Sequence, residues 1–253
     1  MANRLFKHLK LAIWLAKIEI KSRYNRTALG SFWSSILLFV MVITIGPLYS
    51  IIFNQGIEYI ANLAIGLFAW QFIINNVLDS SIAFQKIENL YQNKNIGIFV
   101  PSFKTLVLNI ILSLHQLLPI AIIFFFWSSE FYLKLLLLLP LLFFLSLVMY
   151  PINLFISLIS LRFKDVQSGL VSINFLVFFL NKIIWSKDLI PVEKKFFIQL
   201  NPITHIMTIS RDLILNYKLS FNSFEIIILL TVIFNIFLYF FIKKIKNKFI
   251  FWF

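Results

Sequence analysis

Charged residues along this chain are confined to short stretches, and between them run long uncharged blocks rich in Leu, Ile, Phe and Val. Six such blocks cover residues 27–57, 59–78, 105–129, 135–161, 166–181 and 226–242. A helix rises 1.5 Å per residue, so about 20 apolar residues cross a hydrocarbon layer about 30 Å thick. The third and fourth blocks exceed that length, and the first contains a span near residues 31–53. The fifth and sixth are 16 and 17 residues long and reach across only with flanking residues and snorkelling lysines such as Lys182 and Lys243. Six transmembrane helices are predicted. Residues 196–210 are also uncharged, but Asn201-Pro202 and His205 interrupt them, which predicts a short re-entrant or interfacial segment between the fifth and sixth spans.

Before the first span, Leu5, Leu9, Ala12, Ile13, Ala16 and Ile20 recur at helical spacing while Lys7, Lys10, Lys17 and Lys21 occupy other faces. The pattern predicts an amphipathic helix in the membrane interface, although a plain cluster of orienting charges would carry the same lysines. The organisation expected is a basic interface helix over residues 1–30 and one six-span domain over residues 31–253. No cleavable signal sequence is expected in residues 1–26, where charge and apolar positions alternate.

Composition agrees, with 60% hydrophobic residues and 13% charged. In lipid the backbone must satisfy its own hydrogen bonds, and the short alternating segments of a barrel are absent, so an all-α membrane protein is the expected class. The net charge of +13 comes from basic residues that flank apolar blocks. Sixteen of the 23 Lys and Arg fall on the side that carries both termini and seven on the other, which predicts cytoplasmic termini. This topology accounts for the charge without a nucleic-acid partner. Cysteine is absent, and His8, His115 and His205 form no ligand-spaced pair, so no metal site is expected.

None of the six glycines precedes a lysine, so the chain has no phosphate-binding loop of the Walker type and no ATP site of its own is expected. The ten acids lie almost entirely between the spans, which disfavours an ion-coupled flippase. Asp79 fits an interfacial residue at the cytoplasmic end of the second span. An intramembrane glycan enzyme would need clustered acids or histidines on a large external loop, where only Asp188, Glu193 and Asp212 stand.

Two stretches bring in a family: Glu19-Ile-Lys-Ser-Arg-Tyr-Asn-Arg-Thr-Ala-Leu-Gly-Ser-Phe-Trp33 and Gly46-Pro-Leu-Tyr-Ser-Ile-Ile-Phe-Asn-Gln55. Further along come Gly66-Leu-Phe-Ala-Trp70, His115, Leu161-Arg-Phe-Lys-Asp165, Ile184-Trp185, Asn201-Pro202, His205 and Arg211. In this order and spacing they resemble the permease subunit of ATP-binding cassette polysaccharide exporters of the O-antigen type, within the ABC-2 class. Two positions depart from the pattern: Asn181-Lys182 stands where a Thr-Pro or Ser-Pro step is common, and Leu108 where an arginine is usual.

The resemblance implies a homodimer in the bacterial inner membrane whose interface forms a channel, driven by two separate cytoplasmic ATPase subunits that bind the ATP. The substrate implied is a polysaccharide on a polyprenyl diphosphate lipid; capsular polysaccharide or teichoic acid would be exported by the same mechanism. Lys21, Arg23 and Arg26 stand at the mouth of the first span, where cations could receive the diphosphate or simply meet anionic lipid and orient the chain. Arg23 and Arg26 share a face if that stretch is helical. Trp70, Phe72, Trp185, Phe196 and Phe197 are candidates to stack on sugars in the channel or, alternatively, to anchor the helices at the interface. The polar stretch of residues 84–104, with Lys86, Glu88, Asn89 and Tyr91, is by resemblance the helix that couples to the ATPase. Arg162, with Lys164 and Asp165, reads first as a turn that ends a helix with a solvated charge pair, and alternatively as a second ATPase contact.

Overall fold

A computed structural model describes residues 2–56, 58–93, 96–127, 130–184, 200–245 and 252. Every regular element among them is helical. The helix α1 covers Ala2–Arg23, and a 3-10 turn at Gly30–Phe32 leads into α2, Trp33–Ile52. Next come α3, Glu58–Ser81, a 3-10 turn at Gln85–Ile87 and the short α4, Glu88–Asn93. The long pair α5, Val100–Trp127, and α6, Phe131–Arg162, is followed by α7, Asp165–Leu180, α8, Pro202–Leu215, and α9, Phe221–Ile245.

Each of the six uncharged blocks supplies most of one helix. Five of them, Gly30–Ile52, Glu58–Ser81, Val100–Phe126, Phe131–Arg162 and Phe221–Ile245, are long and apolar enough to cross a membrane. The fifth block forms α7, whose 16 residues rise only about 24 Å, short of the hydrocarbon thickness. The predicted re-entrant segment falls partly on residues 185–199, outside the described residues. Its later part begins α8, with Asn201 as N-cap accepting from the Ile203 N–H at 3.0 Å and Pro202 at the first helical position.

The helix α3 is the axis of the bundle, contacting α2, α5, α6, α7 and α8. Its Phe68, Leu67, Ala64 and Ile65 are fully buried. Two glycines permit close approach. A Cβ at Gly46 would sit 3.3 Å from the Ile60 side chain, and one at Gly66 would sit 2.8 Å from the Arg211 guanidinium. Prolines stand inside α2 (Pro47), α5 (Pro119) and α6 (Pro140, Pro151). Neighbouring helices and side chains make such prolines tolerable in spans.

Polar side chains stitch the interior. Asn153 of α6 donates to Asn76 of α3 at 2.7 Å, Gln116 of α5 donates to Gln71 of α3 at 2.7 Å, and the Ser102 and Ser157 hydroxyls meet at 2.9 Å. Among apolar neighbours of uniform character such bonds specify which helix faces meet. The outward faces of α2, α7 and α9 expose large apolar residues such as Leu37, Phe175 and Phe240.

The helix α1 is amphipathic as expected, but its inward face is turned to protein. Ala12 and Leu15 pack with Ile87, Ile96 and Val100, and Ala16 with Leu108 and Leu112 of α5. Leu9 and Ile13 of the predicted apolar stripe are exposed, together with Trp14 and Ile18. Leu108, where an arginine was the usual residue, thus serves as an apolar seat for α1.

Candidate functional site

Where α1 meets the ends of α3 and α5, five charged side chains converge. The Arg23 guanidinium clamps Asp79 with both terminal nitrogens, at 2.6 and 3.3 Å, and donates to Glu19 at 3.1 Å. Glu19 also receives Lys86 on one carboxylate oxygen and Lys104 on the other, each at 2.5 Å. The Glu19–Arg23 pair has the i, i+4 spacing of one helix face, whereas Asp79, Lys86 and Lys104 are brought in by folding.

The surroundings strengthen these contacts. Glu19 and Asp79 each keep only 15% side-chain exposure, and Lys104 keeps 2%. Burial alone would raise the Glu19 pKa, but Lys104 and Lys86 outweigh it and hold the carboxyl at about 2. Burial likewise opposes the Arg23 charge, and Asp79 and Glu19 outweigh it, so Arg23 is raised from its ordinary value. A buried cation without its partner costs several kcal/mol, roughly 3–5, so these groups act together. A further contact ties the same helix to the chain before α5: the Gly97 N–H donates to His8 Nδ1 at 3.3 Å.

The expected cation trio is not one open cluster. Arg23 is committed to Asp79 and Glu19, while Lys21 and Arg26 are exposed. Arg26 follows the end of α1 in a left-handed turn, φ 64°, so it does not continue the helix face of Arg23. Trp70 lies midway along α3 with its ring 5.9 Å from that of Phe178 in α7, and Phe72 is 1% exposed in the core. Both were candidates for a sugar contact or an interfacial anchor; here neighbouring helices enclose them. Trp185, Phe196 and Phe197 lie outside the described residues.

The polar stretch predicted to couple forms a 3-10 turn followed by α4. Lys86 joins the charge cluster, Glu88 opens α4 and Asn89 is exposed on it; the Tyr91 side chain lies outside the described part. Arg162 ends α6, its guanidinium 5.9 Å from the Phe163 ring and 5.8 Å from the Trp252 ring. Glu19, Asp79, Lys104 and His8 were not singled out as site residues. A usable signal existed for one of them, since Glu19 is the sole acid before Glu58 in an otherwise basic segment.

At the other end of the bundle, other motif residues meet. Arg211 of α8 crosses Gly66 to donate to the Ile183 carbonyl at 2.7 Å, and the Tyr59 hydroxyl donates to that of Ile184 at 2.5 Å. Asn201 donates to Asn181 at 2.8 Å, joining the end of α7 to the start of α8. Asn181, one of the two departures, is therefore a hydrogen-bonding link. Away from that end, His115 midway along α5 contacts Ser31, just before α2, at 3.0 Å and the Ile111 carbonyl at 2.7 Å, and His205 of α8 contacts Ser223 at 3.0 Å. No group of three metal-ligating side chains occurs among the described residues.

A bundle of apolar helices stitched by buried amides, with a charged strap at one end, defines a multi-pass membrane protein. A model of the ABC-2 type transporter family matches residues 10–215, from α1 through α8, and the chain belongs to that family. An O-antigen export system permease protein RfbA of Klebsiella pneumoniae is 26% identical over 238 residues, covering 88% of each chain. A second Klebsiella pneumoniae protein of the same description is 26% identical over 250 residues, covering 94% of this chain and 93% of the relative.

Proposed function

We propose that this chain is the permease subunit of an exporter that moves a lipid-linked polysaccharide of the O-antigen class out through the bacterial inner membrane. The observation that carries the reading is the near full-length similarity to two O-antigen export permeases. In this reading α7 is the sixth span, completed by flanking residues, both termini are cytoplasmic, and two copies form the channel between them. Energy comes from two separate ATPase subunits, since this sequence offers no phosphate loop.

The parts fall into place on that view. The short α4, held beside α1 at the cytoplasmic end, meets the ATPase through Glu88 and Asn89, with Arg162 as a second contact. Lys21 and Arg26, exposed at the mouth of the first span, receive the lipid diphosphate. Arg23 instead serves the fold through Asp79.

The test is transport of a lipid-linked polysaccharide into vesicles holding this chain and its ATPase, against a variant of the ATPase lacking its Walker lysine. Transport lost with that variant supports the permease role. ATP-independent movement would point to an ion-coupled flippase, glycan modification without movement to an enzyme, and preference for capsular or teichoic substrates to a different cargo.

A further inference from the structure

The helix α1 is tied to both ends of one segment. That segment follows the last turn of α3, which holds Asp79, carries α4, and enters α5 at Val100. On its entry side, Asp79 binds Arg23 and Lys86 binds Glu19; on its exit side, Gly97 binds His8 and Lys104 binds Glu19. Between these anchors Ala12 and Leu15 of α1 pack on Ile87 and Ile96, with Leu90 of α4 against the same cluster. The carboxylate of Glu19 is the common element, offering two oxygens to cations from three places in the chain.

We infer that Glu19 is a positioning residue that makes α1 and the α4 segment move as one body. A displacement imposed on α4 then travels through α1 and the turn after Arg23 into α2, the first span. The inference rests on the exporter reading above, in which α4 meets the ATPase. Two observations favour transmission over simple anchoring. Lys104 is nearly inaccessible, so parting the segment from α1 would strand a buried cation. The second is continuity: only residues 24–32 separate α1 from α2, which packs on α3 and α5, so a shift of α1 enters the bundle directly.

The experiment uses the full chain with its ATPase in cells deleted for the native copy. Glu19→Gln keeps the shape and removes the charge. Expected are normal insertion, ATP hydrolysis within about twofold of the unaltered complex, and surface glycan reduced about tenfold, with partial recovery in Glu19→Asp. A second arm replaces His8 and Gly97 by cysteine, in a chain with none of its own. A Cβ at Gly97 would lie 3.5 Å from the His8 ring, so a short bismaleimide can bridge the two positions.

The bridge is expected to leave export intact in the otherwise unaltered chain and to restore it in Glu19→Gln. Full export by Glu19→Gln overturns the inference, and so does a bridge that blocks export, because α1 would then have to part from the segment. Insertion, hydrolysis and export that fail together in Glu19→Gln, with no recovery on bridging, mark a purely structural role and overturn it as well. Absence of ATP-dependent export in the unaltered chain overturns the exporter reading itself, and this inference with it.

Discussion

The helices α3 and α9 have nearly the same length, 24 and 25 residues, and both qualify as spans, yet they live in opposite surroundings. In α3 the most apolar stretch is 72% buried, whereas in α9 it is 11% buried. The buried helix is also the less apolar of the two, carrying Asn62, Gln71, Asn75, Asn76 and Asp79, while α9 presents Leu229, Val232, Ile233, Ile236 and Phe240 outward. In water the order would be reversed. Lipid makes an apolar surface harmless, so helix meets helix through shape, small residues and polar bonds.

The comparison fails if α3 tolerates truncation as α9 does. Phe68→Ala should open a cavity in the core and cost about 2–4 kcal/mol, read as a fall of several degrees in the unfolding temperature of the detergent-solubilised protein. The bonds at the Asp79 end of α3 sharpen the contrast, since they bind α1 and respond to acid. The Glu19 pKa is lowered from 4.5 to about 2 when α1 is docked. Its contribution is therefore complete above about pH 4.5 and is lost as pH falls toward 2, at most about 3 kcal/mol. Hydrogen exchange along α1 should be constant from pH 7 to about 5, after correction for intrinsic rates, and rise below.

Smaller effects follow. Asn153→Ala leaves the Asn76 carbonyl oxygen without its donor and should cost about 1 kcal/mol by the same thermal assay, because buried amide bonds between spans average below that of a core cavity. Phe240→Ala in α9, with 62% of the residue exposed, should change stability by less than about 0.5 kcal/mol. A large loss there would show that the outward face of α9 meets protein.

The helices themselves were legible in the sequence, because runs of apolar residues between charges record the thickness of the bilayer, and a single chain in lipid has few other ways to satisfy its backbone. The amphipathic α1 was legible too, from its period, whereas Asn201-Pro202, read as an interruption of an apolar run, is where α8 begins, with His205 inside it. Other features were hidden. Trp70 and Phe72 looked suited to an exposed sugar contact, yet they are enclosed. Apolarity in a span marks the lipid side and the core side alike, so the pattern cannot say which way a ring faces. Arg23 looked available to a phosphate, but its partner Asp79 lies 56 residues away.

Membrane class, helix positions and the basic end of the bundle are properties of local stretches: hydrogen bonding within a helix and transfer into lipid depend on the residues of that stretch alone. Which faces meet, which cations are consumed by carboxylates, and how α1 straps the α4 segment depend on groups far apart in the chain. Only packing brought Glu19, Asp79, Lys86 and Lys104 together, because a charge finds its partner by distance in space, and the bilayer's uniform apolar signal carries no record of that distance.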